Sequence, residues 1–172
     1  MAVNPVTERF VLHWGEMGAR WGINRTVAQI HALLYLSPKP LNAEEIAETL
    51  SVARSNVSNS LKELQGWGIV KIAHVMGDRR DHFESMKDVW EMFRTILDER
   101  KKRECDPTLQ MLRQSVSEAK HADAYTKERL SDMLSFFENM TTWYEQTRKM
   151  PTSAVIKLCK MGNKISKLLR LG

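Results

Sequence analysis

Asn42-Ala43-Glu44-Glu45-Ile46-Ala47-Glu48-Thr49-Leu50-Ser51-Val52-Ala53-Arg54-Ser55-Asn56-Val57-Ser58-Asn59-Ser60 is the run whose reading decides the fold. Asn42 and Glu45 stand at capping-box spacing, with Asn as the cap, so a short helix opens at Asn42-Ala43. Ile46, Ala47 and Leu50 give it a core face. Ser51-Val52 turns the chain, and a second helix starts at Arg54. On that helix Val57, Leu61 and Leu64 fall at i, i+4 and i+7, leaving Arg54, Ser55, Asn56, Ser58, Asn59 and Lys62 outside. Gly66-Trp67-Gly68 ends it. A β-rich run from Ile69 to Val75, a turn at Gly77-Asp78-Arg79-Arg80 and a returning strand at His82-Phe83-Glu84 complete the unit. Two short helices joined by a tight turn and followed by a hairpin make a winged helix-turn-helix.

The outward face of the second helix is chemically distinctive. Ser and Asn are mediocre helix formers, a poor choice for a surface that only has to be solvated. A helix entering a major groove about 12 Å wide needs short polar side chains for close approach and cations or amides to read base edges. Arg54 can bind guanine bidentately, and Asn56 or Asn59 can pair with adenine. Ser55, Ser58 and Ser60 suit contacts that position the helix. At the wing, Arg79 and Arg80 can straddle phosphates or enter the minor groove, with Asp78 and Asp81 offsetting and orienting them.

Outside this run the chain reads as helices. Asn4-Pro5 is a cap followed by proline at the first helical position, and Phe10, Trp14, Met17 and Trp21 form an apolar stripe that ends at Gly22. Asn24 caps the next helix, with Val27, Ile30, Leu33 and Leu34 on its core face. Ser37-Pro38-Lys39-Pro40 is a loop. After the wing, Lys87 to Arg103 is expected to bury Val89, Trp90, Phe93, Ile96 and Leu97. Cys105-Asp106-Pro107 is expected to break that helix, Asp106 capping a new one that carries Leu109 and Leu112. A junction near His121 to Ala124 precedes a long helix from Tyr125 to Lys149, and a last helix follows Met150-Pro151 from Ser153 to about Leu169. The expected architecture is mainly α with a small β wing: residues 1–85 form the winged unit with its N-terminal helix, and 86–172 a helical dimerisation region. Two-fold operators need two-fold proteins, and long amphipathic helices supply the dimer.

Composition narrows the function classes. The chain has 172 residues, 42% hydrophobic and 27% charged, which fits a core-forming protein. No apolar run approaches the roughly 20 residues of a membrane helix. Glu8 and the absence of a cationic lead-in argue against a secretory signal, so a cytoplasmic location without membrane attachment is expected. The net charge of +5 resides in Lys157, Lys160, Lys164, Lys167 and Arg170, where no acid intervenes; residues 1–150 are formally neutral. The overall basicity therefore cannot by itself support DNA reading, and the local cationic excess of Arg54, Lys62, Lys71, Arg79 and Arg80 is modest although correctly placed. The tail cations leave open phosphate contacts, an acidic partner, membrane-surface binding or a solvated face of a dimer helix. Cys105 and Cys159 read as buried or half-buried thiols. His74 and His82 flank the wing turn, and two imidazoles alone make a poor metal site. With no phosphate-binding glycine loop, ligand cluster or nucleophile motif, neither an enzyme nor a cofactor or metal is expected.

The runs Trp21-Gly22-Ile23-Asn24-Arg25-Thr26-Val27-Ala28-Gln29-Ile30, Arg54-Ser55-Asn56-Val57-Ser58, Leu61-Lys62-Glu63-Leu64, Trp67-Gly68-Ile69-Val70, Gly77-Asp78-Arg79-Arg80-Asp81-His82-Phe83 and Asp106-Pro107-Thr108-Leu109 resemble the GbsR branch of the MarR superfamily. The resemblance covers roughly residues 5–114. It implies a homodimeric winged-helix transcriptional regulator, usually a repressor, acting on double-stranded DNA. It carries the recognition positions to Arg54, Ser55, Asn56, Ser58 and Asn59 and the wing positions to Arg79 and Arg80. Some members respond to choline, and a quaternary ammonium effector would call for an aromatic cage. Trp14, Trp21 and Trp90 are the candidate walls, with core packing as their alternative use. The competing function is a winged-helix protein-interaction module, which would need an apolar outer face on the recognition helix.

Overall fold

The computed structural model describes residues 4–161. Its contacts divide the chain into two compact units, Met1–Ile96 and Leu97–Gly172. The sequence places the division at Ser85/Met86; compactness assigns the start of the helix after the wing to the first unit.

In the first unit, helices α1 (Pro5–Arg20) and α2 (Arg25–Leu36) precede a two-residue strand β1 (Leu41–Asn42). Helices α3 (Ala43–Leu50) and α4 (Arg54–Gly66) follow, then strands β2 (Val70–Ala73) and β3 (His82–Ser85), and the beginning of α5 (Val89–Arg100). The antiparallel sheet has the order β1-β3-β2. Caps set most of the helix starts: Asn4 accepts from Thr7 N, Asn24 from Thr26 N, and Asn42 and Glu45 form a reciprocal capping box. Strand β1 was not expected. Its two residues precede a helix and pair only through tertiary contact, Leu41 opposite Phe83 and Asn42 opposite His82.

Helix α2 is the centre of the unit. Val27, Ala28, Ile30, His31, Ala32, Leu33 and Leu34 are all buried, and Val11, Ile46, Val57, Leu61, Leu64, Ile69 and Phe83 share the same core. Helix α1 meets it through a different face from the one its aromatic spacing suggests. Val11, Gly15 and Gly18 are buried, while Phe10, Trp14 and Met17 are half-buried and Trp21 is 54% exposed. The glycines are the reason. A Cβ on Gly18 would fall 2.5 Å from Ala28 Cβ, and one on Gly15 would fall 2.5 Å from Gln29 Cγ. The two backbones come too close for side chains there, so the aromatic rings are displaced to the rim.

The carbonyls at the C-terminus of α2 are met by a single cation. Lys87 Nζ donates to Leu34 O, Tyr35 O and Ser37 O at 2.8, 2.8 and 2.9 Å, and lies 5.9 Å from the Tyr35 ring centre. Charge and helix dipole agree in sign. His31 lies on the same helix, 5% exposed, and its Nε2 has no hydrogen-bond partner among the described residues. Burial, with a smaller contribution from the Lys87 charge, pushes its pKa from 6.5 down to about 4.

The second unit contains the end of α5, a π-helical turn at Lys101–Cys105, α6 (Asp106–Glu118), a 3-10 turn at Ala119–His121, α7 (Ala124–Arg148) and α8 (Thr152–Lys160). The expected break at Cys105-Asp106-Pro107 does not occur. Arg100, Cys105 and Asp106 keep right-handed helical dihedrals, and the wider turn accommodates the proline, which cannot donate to the ladder. Asp106 accepts from Lys101 Nζ at 2.7 Å instead of capping. Leu109 and Leu112 are buried as expected. Helix α5 departs from expectation, because Met92 is its buried residue whereas Val89 and Phe93 are half exposed. Asp123 caps α7, and Tyr144 and Arg148 converge on Asp98 at 2.6 and 2.7 Å. Cys105 is half-buried; Cys159 is exposed, unlike the expectation. Residues 162–169 of the expected last helix, with Lys164 and Lys167, and Arg170 beyond it, lie outside the described residues.

The two glycines of α1 should respond differently to alanine. Gly18 faces a Cβ that cannot rotate away, so G18A should cost about 1–3 kcal/mol by overpacking. Gly15 faces the flexible Gln29 side chain, so G15A should cost distinctly less. Urea denaturation of both variants checks the order; equal losses would refute the close backbone approach at Gly18.

His31 makes a signed pH prediction. Its folded pKa lies below the unfolded one, so the unfolded state takes up the proton first. The stability this neutral imidazole preserves is complete above about pH 6.5 and is lost as pH falls towards 4, by up to about 3 kcal/mol. Relative to wild type, H31L should therefore gain stability between neutral pH and about pH 4.5. Denaturant midpoints at several pH values measure this; a constant gap between the two proteins would rule it out.

Candidate nucleic-acid interface

Helix α3, the turn and α4 form the expected helix-turn-helix. Ser51 ends α3 in the left-handed region, φ 53° and ψ 44°, and Val52 N donates to Ala47 O at 3.1 Å. This turn orients α4 so that Val57, Leu61 and Leu64 enter the core. The N-cap of α4 is Ala53, which has no side-chain acceptor for the first-turn N–H groups. The start of α4 thus combines unshielded donors with exposed Arg54, Ser55 and Asn56.

Asn59 and Lys62 are also exposed, one and two turns beyond Ser55 on the same side, and Ser58 is half-buried. Ser60 is not on this face. It is 4% exposed, one residue before Leu61 and three after Val57, so the expected role in positioning DNA is withdrawn. Arg54 is not a free side chain: its Nη2 lies 2.8 Å from Glu44 Oε1 on α3. Sequence reasoning missed Glu44, since it stands on the preceding helix and reads as a first-turn acid favoured by the helix dipole.

The wing is the β2–β3 hairpin. Asp78 N donates to Val75 O at 3.1 Å, with Gly77 at φ +84°, so the tight turn is Val75–Asp78 and precedes the one expected from sequence. A positive φ at its third residue is the type II arrangement that favours glycine. Met76, second in the turn and fully exposed, is the tip.

Asp78 then folds the following residues back. Its Oδ1 accepts from Arg80 N and Arg80 Nε, both at 3.0 Å, and the Arg80 guanidinium holds the carboxyl far below the usual carboxylate range. The wing arginines are consequently inequivalent: Arg80 is held against Asp78, whereas Arg79 is exposed with no ion pair among the described residues. Asp78 orients a guanidinium as expected; Asp81 enters no ion pair among the described residues.

His82 is buried, its Nδ1 3.0 Å from Arg80 O and its Nε2 3.6 Å from Asp78 Oδ2. It pairs across the hairpin with Ala73, so His82 and His74 do not face each other. Among the described residues no group of His, Cys, Asp and Glu could hold a metal ion.

The three candidate cage tryptophans are placed unequally. Trp14 stacks on Phe10 at 5.4 Å between centroids and meets Trp21 edge-on at 6.3 Å. Trp14 also packs against the core, while Trp21 presents much of its ring to solvent. Trp90 is half-buried and meets Phe93 edge-on at 6.5 Å. A hollow of about 360 Å³ opens between Glu8, Val11, Gln29 and Leu50, but none of the three tryptophans lines it.

Residues 21–81 match the model of the MarR family. The chain is 21% identical over 94 residues to the putative HTH-type transcriptional regulator YvaV of Bacillus subtilis (strain 168), spanning 55% of this chain and 53% of that protein. It therefore covers about half the length of this relative. A solved structure described as the crystal structure of a transcriptional regulator superposes with a TM-score of 0.67 at 18% identity, covering 84% of this chain and 96% of the other. At that identity the likeness establishes the fold. No described helix is long and apolar enough to cross a membrane. These relatives are described as regulators rather than enzymes. The segment similar to the MarR family, residues 21–81, holds α3, α4 and β2 of the winged helix-turn-helix.

Proposed function

We propose that this protein is a homodimeric, sequence-specific DNA-binding transcriptional regulator of the GbsR type, acting as a repressor and released from DNA by choline or a related quaternary ammonium. One observation carries the DNA-binding part: exposed Arg54, Ser55, Asn56, Asn59 and Lys62 cluster from the start of α4, beside a hairpin that presents Arg79. Base-edge recognition requires such directional donors and acceptors. Arg54 and Asn56 read bases, Ser55, Ser58, Asn59 and Lys62 fix the helix in the groove, and Arg79 and Arg80 contact the backbone or minor groove. A protein-interaction module would favour an apolar α4 surface, so the polar face argues against that alternative.

The second unit supports dimerisation. Helix α7 buries none of its residues, and Met133, Phe136 and Trp143 are 50–62% exposed. With half-buried Met140 they follow 3-4-3 spacing, the seam of a helix that packs on another helix. A second copy of this chain is the proposed occupant, matching the two-fold symmetry of an operator. The exposed Trp21 ring beside Trp14 is the best-placed start for a cage, with Trp90 as a further candidate wall.

Selection of duplexes from a random pool should return a pseudo-palindrome with half-sites about one helical turn apart. Binding should weaken as salt rises. R54A or N56A should relax base preference by about 1–3 kcal/mol at a defined position, whereas R79A with R80A should weaken binding to all sequences. Undiminished discrimination by R54A and N56A would eliminate the α4 assignment, and a site lacking two-fold symmetry would eliminate the dimer. The effector reading predicts that choline dissociates the complex and quenches tryptophan emission in the free protein, with W21A insensitive. No response to choline at millimolar concentration would remove it.

A further inference from the structure

Two carboxylates begin α3, and they have different occupations. Glu45 accepts from Asn42 N at 2.9 Å to complete the capping box and pairs with Lys39 at 3.4 Å. Glu44 has no part in the cap. Its Oε1 reaches across to α4 and meets Arg54 Nη2 at 2.8 Å. Both partners are open to solvent, with side chains 37% and 68% exposed, so the pair contributes little to stability. Its position is unusual for a surface ion pair, however. It lies at the first residue of α4, on the guanidinium that the proposed mechanism requires at a base edge. A carboxylate there also repels DNA phosphates, a cost that simple affinity would not retain.

We infer that Glu44 is a positioning residue for base readout, holding one edge of the Arg54 guanidinium so that its remaining N–H donors point out of α4 towards guanine. The inference rests on the DNA-binding reading of α4. Arginine has five donors in a rigid planar fork, and a carboxylate on one edge leaves others available for the O6 and N7 acceptors of guanine. Without the carboxylate the long side chain can reach neighbouring phosphates, which carry no sequence information. Glu44 therefore sacrifices some general attraction to DNA in exchange for discrimination, an instance of specificity gained by weakening the wrong contact.

The sign of the E44Q effect separates this role from plain electrostatics. The full-length protein would be titrated against a duplex selected from a random pool by the wild type, against copies with each G·C pair exchanged in turn, and against poly(dI-dC). Positioning predicts that E44Q binds poly(dI-dC) more tightly while its preference for one G·C pair falls about tenfold. In an R54A background, E44Q should leave that preference unchanged. If E44Q strengthens binding to every duplex by the same factor, or lowers preference equally with Arg54 absent, the positioning role is overturned and Glu44 is only a local negative charge. Should the wild type select no duplex, the DNA-binding reading itself fails, and this inference with it.

Discussion

Helix α2 is buried on almost every side, and the first unit is organised by that constraint. An exposed helix can leave its last carbonyls to water, but a buried one cannot. Lys87 meets three carbonyls at this end from the segment after β3, tying the base of the wing to the centre of the core. At the other side, Gly15 and Gly18 let α1 approach to backbone distance, closing the core without large side chains. His31 is held neutral within this packing, a polar group retained where an aliphatic one would satisfy the burial.

A rigid α2 gives α4 and the wing a fixed base. Val57, Leu61 and Leu64 fix the rotation of α4, so the same helical periodicity that buries them exposes Ser55, Asn59 and Lys62 together. The wing is braced from within: β1 and β2 flank β3, His82 contacts the Arg80 carbonyl, and Asp78 gathers the Arg80 backbone and guanidinium. A polar loop acquires a definite shape through these contacts before any partner arrives, which lowers the ordering cost of binding.

What could be read in the sequence was mostly what local chemistry dictates. Asn4, Asn24 and Asn42 announced their helices because a cap needs only neighbours along the chain. The α4 core face followed from periodicity, and the wing strands from a β-rich run interrupted by turn residues. Features decided by distant contacts were less legible. Strand β1 is two residues long and exists only by pairing with β3. The aromatic stripe of α1 outweighed the glycines in a hydrophobicity reading, although the glycines determine the packed face. Pro107 signalled a break, but one widened turn absorbs it. Ser60 resembled its neighbours Ser55 and Ser58 in composition and differed only in the side of the helix it occupies. In the candidate site, Asp78 was legible as a partner because it stands beside the wing arginines in sequence, whereas nothing in the Arg54 motif reveals that Glu44, on the preceding helix, holds its guanidinium.

Those partners change what kind of binder the unit can be. A surface built for general attraction to DNA would leave its cations uncompensated, since affinity of that kind grows with the number of phosphates neutralised. Here Arg54, Lys71 and Arg80 each have a carboxylate within 3.0 Å or less, and the chain up to residue 150 carries no net charge. Little general attraction is left in the winged unit, and Arg79 and Lys62 are its plainest sources. Affinity under the proposed function must then come from contacts that depend on direction: amides and a held guanidinium at base edges, and N–H groups at the start of α4. Such a unit binds weakly wherever those acceptors are misplaced. Under the proposed function, two copies on a symmetric site would raise the affinity without raising attraction to random sequence, and the unburied face of α7 is where the proposal seats the second copy.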